Sequence, residues 1–120
     1  MKIKSQYPAI VTNDVDKILY SLTHKGFRII HTQKDVLFEG SVVYVLKHTT
    51  GTKLDVVKAN VDKEKQALRI NVDSVEDAIK EFAEDGFVVD TGPKTNNYST
   101  SALLKDPDGL SIFLMEHRKR

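Results

Sequence analysis

The stretch Lys105-Asp106-Pro107-Asp108-Gly109-Leu110-Ser111-Ile112 is the part of the sequence that says most about the fold. Proline presets the backbone at the second position of a turn, and a glycine two residues later supplies a conformation that most side chains disfavour. Residues 110–115 that follow are rich in bulky apolar side chains, which favour a strand. The stretch therefore predicts a tight turn followed by a terminal strand.

A related stretch in the first half of the chain indicates an internal repeat. An offset of 58 residues aligns Gly51 with Gly109. An offset of 60 residues aligns Gly26 with Gly86. The small difference between the offsets falls in loops, where length varies freely. The sequence therefore predicts two copies of one structural module.

Each copy contains one short amphipathic helix with recognisable ends. Asn13 or Asp14 caps the first helix, and Gly26 supplies its left-handed stop. In the second copy, Ser74-Val75-Glu76-Asp77 is a capping box and Gly86 ends the helix. Apolar residues at helical spacing between these signals predict one buried face on each helix.

Eight short runs rich in β-branched and aromatic residues are predicted strands: 7–12, 27–32, 42–48, 54–57, 67–72, 87–91, 99–105 and 110–115. The predicted fold class is α+β, built from two βαβββ modules. We assign a single domain over residues 1–120, with module one at 5–58, a charged linker at 59–66 and module two at 67–117. A module of about 55 residues buries too little surface to be stable alone, so the two are expected to complete one domain.

Charge and composition exclude several classes of function. The chain has 18 lysines and arginines against 17 aspartates and glutamates, and the two signs are interspersed. We therefore expect neither nucleic acid nor a membrane as a partner, and the basic cluster at 117–120 is expected to be a solvated tail. The absence of cysteine excludes disulfides and thiolate nucleophiles. With no apolar stretch at its start, the protein is expected to be cytoplasmic.

Alternate residues of a strand face opposite sides of a sheet, so each strand contributes to two surfaces. One surface is aliphatic, as packing beneath a helix requires, and includes Ile10, Leu54, Val56, Leu68, Ile70, Val72, Leu110, Ile112 and Leu114. The other surface mixes aromatic, apolar and charged side chains, among them Tyr7, Lys53, Asp55, Arg69, Asn71, Phe113 and Met115. Such a mixed surface is typical either of a solvated sheet or of the lining of a small-molecule cavity.

The repeated module and its closing turn resemble the vicinal oxygen chelate superfamily. The residues at the two helix starts, Asn13-Asp14-Val15 and Asp73-Ser74-Val75, also resemble the pattern of this superfamily. The resemblance covers the chain from Tyr7 to His117. The superfamily includes glyoxalases, extradiol dioxygenases, and the fosfomycin and bleomycin resistance proteins. The resemblance implies curled mixed sheets around a cavity, helices outside the sheets, and a homodimer.

Metal-dependent members of this superfamily hold a divalent ion with four side chains, one from the first and last strand of each module. By register, the corresponding positions here are Tyr7, Ala67, Asp55 and Phe113. Only Asp55 binds a hard cation well, whereas a metal site usually has three or four protein ligands. We therefore expect no metal or other cofactor, and the missing ligands argue against an enzyme.

The four histidines are further candidates for catalysis or metal binding; they are His24, His31, His48 and His117. None is predicted to share a face with another at ligand spacing. His48 matches Asp106 in the repeat, which favours a role in the turn. Asp55 and Arg69 are predicted either to pair with each other or to leave Arg69 free for a ligand's carboxylate or phosphate.

The leading functional hypothesis is a metal-independent protein that binds a small aromatic or amphipathic molecule, an antibiotic being one candidate. The predicted ligand-binding residues are Tyr7, Phe113 and Met115, which would pack on the ligand, and Lys53, Asp55, Arg69 and Asn71, which would orient it. The alternative is a metal-dependent glyoxalase-like lyase or dioxygenase whose ligands lie elsewhere. A third hypothesis is a partner-binding dimer whose cup is filled by its own side chains.

Overall fold

Two successive modules, each a strand, a helix and three strands, make up residues 1–118, the part of the chain that the computed structural model describes. The elements are β1 (Ile3–Thr12), α1 (Val15–Thr23), β2 (Phe27–Lys34), β3 (Val42–His48), β4 (Lys53–Lys58), β5 (Lys65–Val72), α2 (Val75–Glu84), β6 (Val88–Thr95), β7 (Ser99–Lys105) and β8 (Ser111–His117). The predicted α+β class and the paired βαβββ order are confirmed. Residues 119–120 of the predicted basic tail lie outside the described residues.

The eight strands form one mixed sheet in the order β2-β3-β4-β1-β5-β8-β7-β6. The two modules meet at its centre, where β1 and β5 pair antiparallel with Tyr7 opposite Arg69. In each module the first strand pairs in parallel with the last, so β1 lies beside β4 and β5 beside β8. These two central pairs bring the predicted ligand-binding side chains of both modules to the middle of the sheet.

Both helices begin at the predicted caps. The Asp14 side chain accepts a hydrogen bond from the Lys17 backbone nitrogen at 3.4 Å, and the Ser74 hydroxyl accepts one from the Asp77 nitrogen at 3.2 Å. These bonds satisfy backbone donors that the first turn of a helix otherwise leaves free. Gly26 follows α1 with a φ of +93°. The cap and stop signals therefore set both helices within a residue or two of their predicted ends.

The turn before β8 is held by the side chain of Asp106. One of its oxygens accepts hydrogen bonds from the backbone nitrogens of Asp108 and Leu110, at 3.0 and 2.7 Å. In module one the ring nitrogen Nδ1 of His48 accepts from the backbone nitrogen of Thr50 at 3.1 Å. The predicted turn role of His48 is thus confirmed, with an imidazole in place of the carboxylate.

The aliphatic side of the sheet packs under the helices, as the alternation predicted. Leu46 and Val56 are fully buried under α1, while Leu104, Ile112 and Leu114 are buried under α2. Two residues predicted for this surface are exposed, Leu68 at 38% and Leu110 at 52%, while Ile10 and Leu54 are half-buried. Leu68 lies on β5, next to the central seam, and α1 and α2 pack mainly on the strands to either side of it. Leu110 belongs to the turn that precedes β8.

The other side of the sheet is concave, and part of it is filled by a buried cluster that takes side chains from both modules. Phe113 and Met115 are completely buried there, together with Val36 and Leu37 from the loop between β2 and β3. The Ser101 hydroxyl donates a hydrogen bond to the Val36 carbonyl at 2.8 Å, which fixes the loop against β7. The cup is therefore closed by its own side chains in one half and open in the other.

Strand ends differ from their predicted positions where polar residues continue the backbone pairing. β5 begins at Lys65, inside the predicted linker 59–66, and β6 runs on to Thr95.

No helix within residues 1–118 is long and apolar enough to cross a membrane.

Candidate ligand-binding site

The open half of the cup forms a cavity of about 720 Å³, a size typical of small-molecule sites. Side chains from β1, β2, β3 and β5 line it, together with the start of β4 and His117 at the end of β8. The curling of the sheet brings these strands together, since β2 and β8 are separated by four other strands in the sheet order. The cavity therefore joins residues from both modules.

A buried ion pair between Arg69 and Asp55 lies at the floor of this cavity. The Arg69 Nη1 atom donates to Asp55 Oδ2 at 2.6 Å, and the two side chains are 2% and 0% exposed. Burial raises the pKa of the Asp55 carboxyl, and the adjacent guanidinium opposes that rise. The first of the two predicted roles, structural pairing, is thus confirmed. The second role, binding of a ligand by Arg69, stays a prediction.

Two more side chains of β1 and β5 fix the guanidinium in place. Arg69 Nε donates to the Asn71 side-chain oxygen at 3.0 Å, and the Asn71 amide donates to the Ser5 hydroxyl at 2.7 Å. Asn71 is two residues beyond Arg69 on β5, so strand alternation places both on the concave face. These hydrogen bonds therefore fix the position of the guanidinium.

Aromatic rings on two strands contact the same guanidinium. Its central carbon lies 5.2 Å from the Tyr7 ring centroid and 5.5 Å from that of Phe113. Both distances are within the range of a cation–π interaction. Burial, followed by the nearby Asp55 charge, raises the pKa of the Tyr7 hydroxyl to about 12. Tyr7 is therefore a neutral phenol at physiological pH and cannot act there as a base.

Two histidines that the sequence did not bring together both line this cavity. His31 comes from β2 and His117 from the end of β8. The Nε2 atom of His117 lies 3.3 Å from Arg69 Nη2. Burial, the Arg69 charge, Lys4 and His31 all lower the pKa of His117. His117 is thus the neutral acceptor of an Arg69 hydrogen bond at neutral pH.

The seven predicted ligand-binding residues fall into two groups. Four line the cavity: Tyr7, Lys53, Arg69 and Asn71. The other three, Asp55, Phe113 and Met115, are 0% exposed and lie beneath or beside it. Alternation assigned all seven to the concave face, but it carried no information on which half of that face the loop at 36–38 would cover. Their role in binding a ligand stays a prediction.

The residues at the superfamily's metal positions do not fit a divalent ion. Ala67 and Phe113 offer no donor atom, and the Asp55 carboxylate is engaged by Arg69. The charged guanidinium lies against three of the four positions, where a second cation would be repelled. Within residues 1–118, no group of three or more histidine, aspartate or glutamate side chains is placed to hold a metal.

Solved structures with this architecture cover nearly the whole chain. An E144Q mutant of glyoxalase I from Zea mays superposes with a TM-score of 0.70 at 19% identity, over 100% of this chain and 45% of the maize chain. Methylmalonyl-CoA epimerase from Mycobacterium tuberculosis gives a TM-score of 0.65 at 14% identity, over 98% of this chain and 90% of that one. A glyoxalase/bleomycin resistance protein/dioxygenase superfamily member from Vibrio splendidus 12B01 gives a TM-score of 0.56 at 14% identity, over 98% of this chain and 100% of that one.

These similarities establish the class of protein at the level of the fold. The chain has the vicinal oxygen chelate fold, as its repeated module and turn predicted. It corresponds to less than half of the maize glyoxalase I chain. No protein-family model and no curated protein matches the sequence. Since one fold hosts many activities, the function must be argued from the cavity itself.

Proposed function

We propose that the protein binds a small molecule in the open half of its cup and needs no metal ion to do so. The observation that carries the proposal is the cavity of about 720 Å³ with the guanidinium of Arg69 fixed at its floor by hydrogen bonds to Asp55 and Asn71. A cavity of this size with a few polar groups held in place is typical of a small-molecule site.

The cavity combines an apolar wall with a few fixed polar groups, which suits an aromatic or amphipathic ligand. Tyr7, Pro8 and Val45 supply the apolar surface. Arg69 and Asn71 supply polar groups whose positions are already fixed by hydrogen bonds. A site that is ordered before binding spends less free energy on ordering its side chains, so affinity is higher for a given contact area.

The solved structures named above include a glyoxalase, an epimerase and a member of the glyoxalase/bleomycin resistance protein/dioxygenase superfamily. A metal-dependent lyase or dioxygenase of that kind is the alternative function for this chain. It would need ligands that residues 1–118 do not bring together. Ligand binding without metal is therefore the better-supported function, and an antibiotic remains one candidate ligand.

A thermal-shift screen of the intact protein with aromatic drugs, acyl conjugates and small carboxylates tests the proposal. A ligand that binds only the folded state adds about 2.7 kcal/mol of stability at a concentration about one hundred times its Kd. The melting temperature rises as a result. We expect hits whose shift is lost in Tyr7→Ala, which removes a cavity wall. Tyr20→Ala is the matched control, because Tyr20 is 69% exposed and lies on α1, outside the cavity. Hits that stabilise both variants equally would contradict a site in the cup.

A further inference from the structure

We infer that the cavity selects molecules that carry a carboxylate or phosphate group, bound among Arg69, Lys53, His31 and His117. This inference rests on the proposed function and names the class of its ligand. Four kinds of observation support it: the charges around the cavity, the free donors of the guanidinium, the apolar wall beside them, and the two histidines.

The charges that line the cavity are all of one sign. Lys53 and Arg69 are cationic, and His31 and His117 become cationic when protonated. Among the described residues that line the cavity, none is an aspartate or glutamate. The nearest carboxylate is Asp55, which is buried beneath and paired with Arg69. An anion entering the cavity therefore meets attraction, and a cation meets repulsion.

The guanidinium keeps two donors for such an anion. Arg69 has five N–H groups. Among residues 1–118, Nε binds Asn71, Nη1 binds Asp55 and Nη2 binds His117, one partner for each nitrogen. One N–H on each terminal nitrogen is left, and two such donors match the two oxygens of a carboxylate or phosphate. Since Arg69 is only 2% exposed, an anion that reaches it would be largely desolvated and bound more strongly than at the surface.

An aromatic body fits the remainder of the cavity. Tyr7 presents its ring beside Arg69, and Pro8 and Val45 extend the apolar wall. A volume of about 720 Å³ leaves room for more than the anionic group alone. An aromatic carboxylate would therefore place its charge at Arg69 and its ring against Tyr7, whereas a bare phosphate ion would use only the first part of the site.

Protonation of His117 is expected to strengthen binding of the anion. The charged or titratable groups that act on His117 are Arg69 from β5, Lys4 from β1 and His31 from β2, and all oppose its protonation. A bound anion offsets that repulsion, so binding and protonation favour each other. Affinity for a carboxylate should therefore rise as the pH falls from the ordinary histidine value of 6.5 toward the lowered pKa of His117.

The test is a binding titration of the intact protein with three matched probes: 1-naphthoate, neutral 1-naphthamide and cationic 1-naphthylmethylammonium. Ring-proton NMR signals of the histidines report the location, because His31 and His117 line the cavity and His24 and His48 do not. We expect naphthoate to shift the first pair only and to bind about tenfold tighter than the amide, since hydrogen bonds to charged groups add about 1.5–3 kcal/mol. Inorganic phosphate serves as a second anion that lacks the aromatic body.

Two substitutions of exposed lysines on β4 provide the control for charge. Lys53→Gln removes a cation at the cavity and is expected to weaken naphthoate binding about threefold or more, whereas Lys58→Gln, outside the cavity, leaves it unchanged. Equal or tighter binding of the amide or the cation would overturn the anion preference and leave the proposed function standing. The absence of any shift at His31 and His117 with naphthoate and phosphate would also overturn it. The compound screen then tests small-molecule binding separately.

Discussion

Arg69 is the residue on which the interior of the cup depends. Its guanidinium contacts a carboxylate, an amide and two aromatic rings while only 2% of the side chain is exposed. A buried ion pair adds little stability compared with a well-packed apolar pair, but removal of one partner leaves an uncompensated charge. The pair is therefore better understood as fixing the geometry of the site than as a source of stability.

Substitution of Asp55 by Asn should destabilise the fold strongly. The unpaired Arg69 charge is expected to lower the free energy of unfolding by about 3–5 kcal/mol, measured by urea denaturation. Asp90→Asn is the control, because Asp90 lies 3.6 Å from Lys65 and 3.7 Å from Lys105 in partly exposed ion pairs. Such pairs contribute at most about 1 kcal/mol. Equal losses in the two variants would contradict the role given to the Arg69–Asp55 pair.

The pKa of His117 predicts the sign of a pH effect on stability. The unfolded chain binds a proton there below the ordinary value of 6.5, whereas the folded chain does so only at lower pH. Stability from the neutral ring is therefore fully present above that value and is lost as the pH falls from it through the lowered pKa. NMR titration should give a midpoint for His117 below 6.5, and His117→Gln should flatten the dependence. A midpoint above the ordinary value would contradict the arrangement around Arg69.

At the scale of elements, the turn before β8 gives a matched pair of substitutions. Asp106 accepts two backbone hydrogen bonds, while the side chain of Asp108 is exposed. Asp106→Ala should cost about 1–3 kcal/mol of unfolding free energy, from about 0.5–1.5 kcal/mol for each of the two bonds. Asp108→Ala should stay within about 0.5 kcal/mol, as is usual for surface positions. Denaturant melts of the two variants compare them directly, and equal effects would show that the turn does not depend on the Asp106 side chain.

The local signals of the sequence predicted the elements well. The caps at Asp14 and Ser74 and the turn at Asp106 each act through residues no more than four apart, so their chemistry is visible in the sequence. Strand ends were harder to predict, because polar residues such as Lys65 extend a strand through backbone bonds that side-chain patterns do not record. The same limit explains why β6 runs further than the apolar run that identified it.

The site depended on long-range packing and was predicted only in part. Alternation placed Arg69 and Asp55 on one face, and their pairing followed from their charges. His31 and His117 approach each other across the curled sheet from β2 and β8. The sequence did indicate that His117 faces the cup, since it follows Met115 by two residues on β8 and shares the alternation of Phe113 and Met115. There was no such indication for His31, because a register shift in β2 next to Ile29 interrupts the alternation there.

At the scale of the whole molecule, the homodimer implied by the resemblance stays a prediction. The edge strands β2 and β6 carry apolar side chains that are partly exposed, with Ile29 at 43% and Val88 at 56%. We expect light scattering to give twice the chain mass of 13.5 kDa. Val88→Lys should then yield a monomer, while Tyr20→Lys on α1 should remain a dimer. A monomeric wild-type protein at about 50 μM would rule out the dimer at the micromolar affinity of a typical specific interface.

The central proposal is that the cup works without a metal ion, because the Arg69 guanidinium lies against three of the four positions at which the resemblance implies metal ligands. The most direct test is elemental analysis of protein purified without chelator, combined with its melting temperature before and after dialysis against a chelator. The structure predicts no stoichiometric metal and an unchanged melting temperature, because residues 1–118 bring together no group of three or more ligands. Near-stoichiometric zinc, nickel, manganese or iron, with a melting temperature that falls on chelation, would contradict the claim and favour a metal-dependent enzyme.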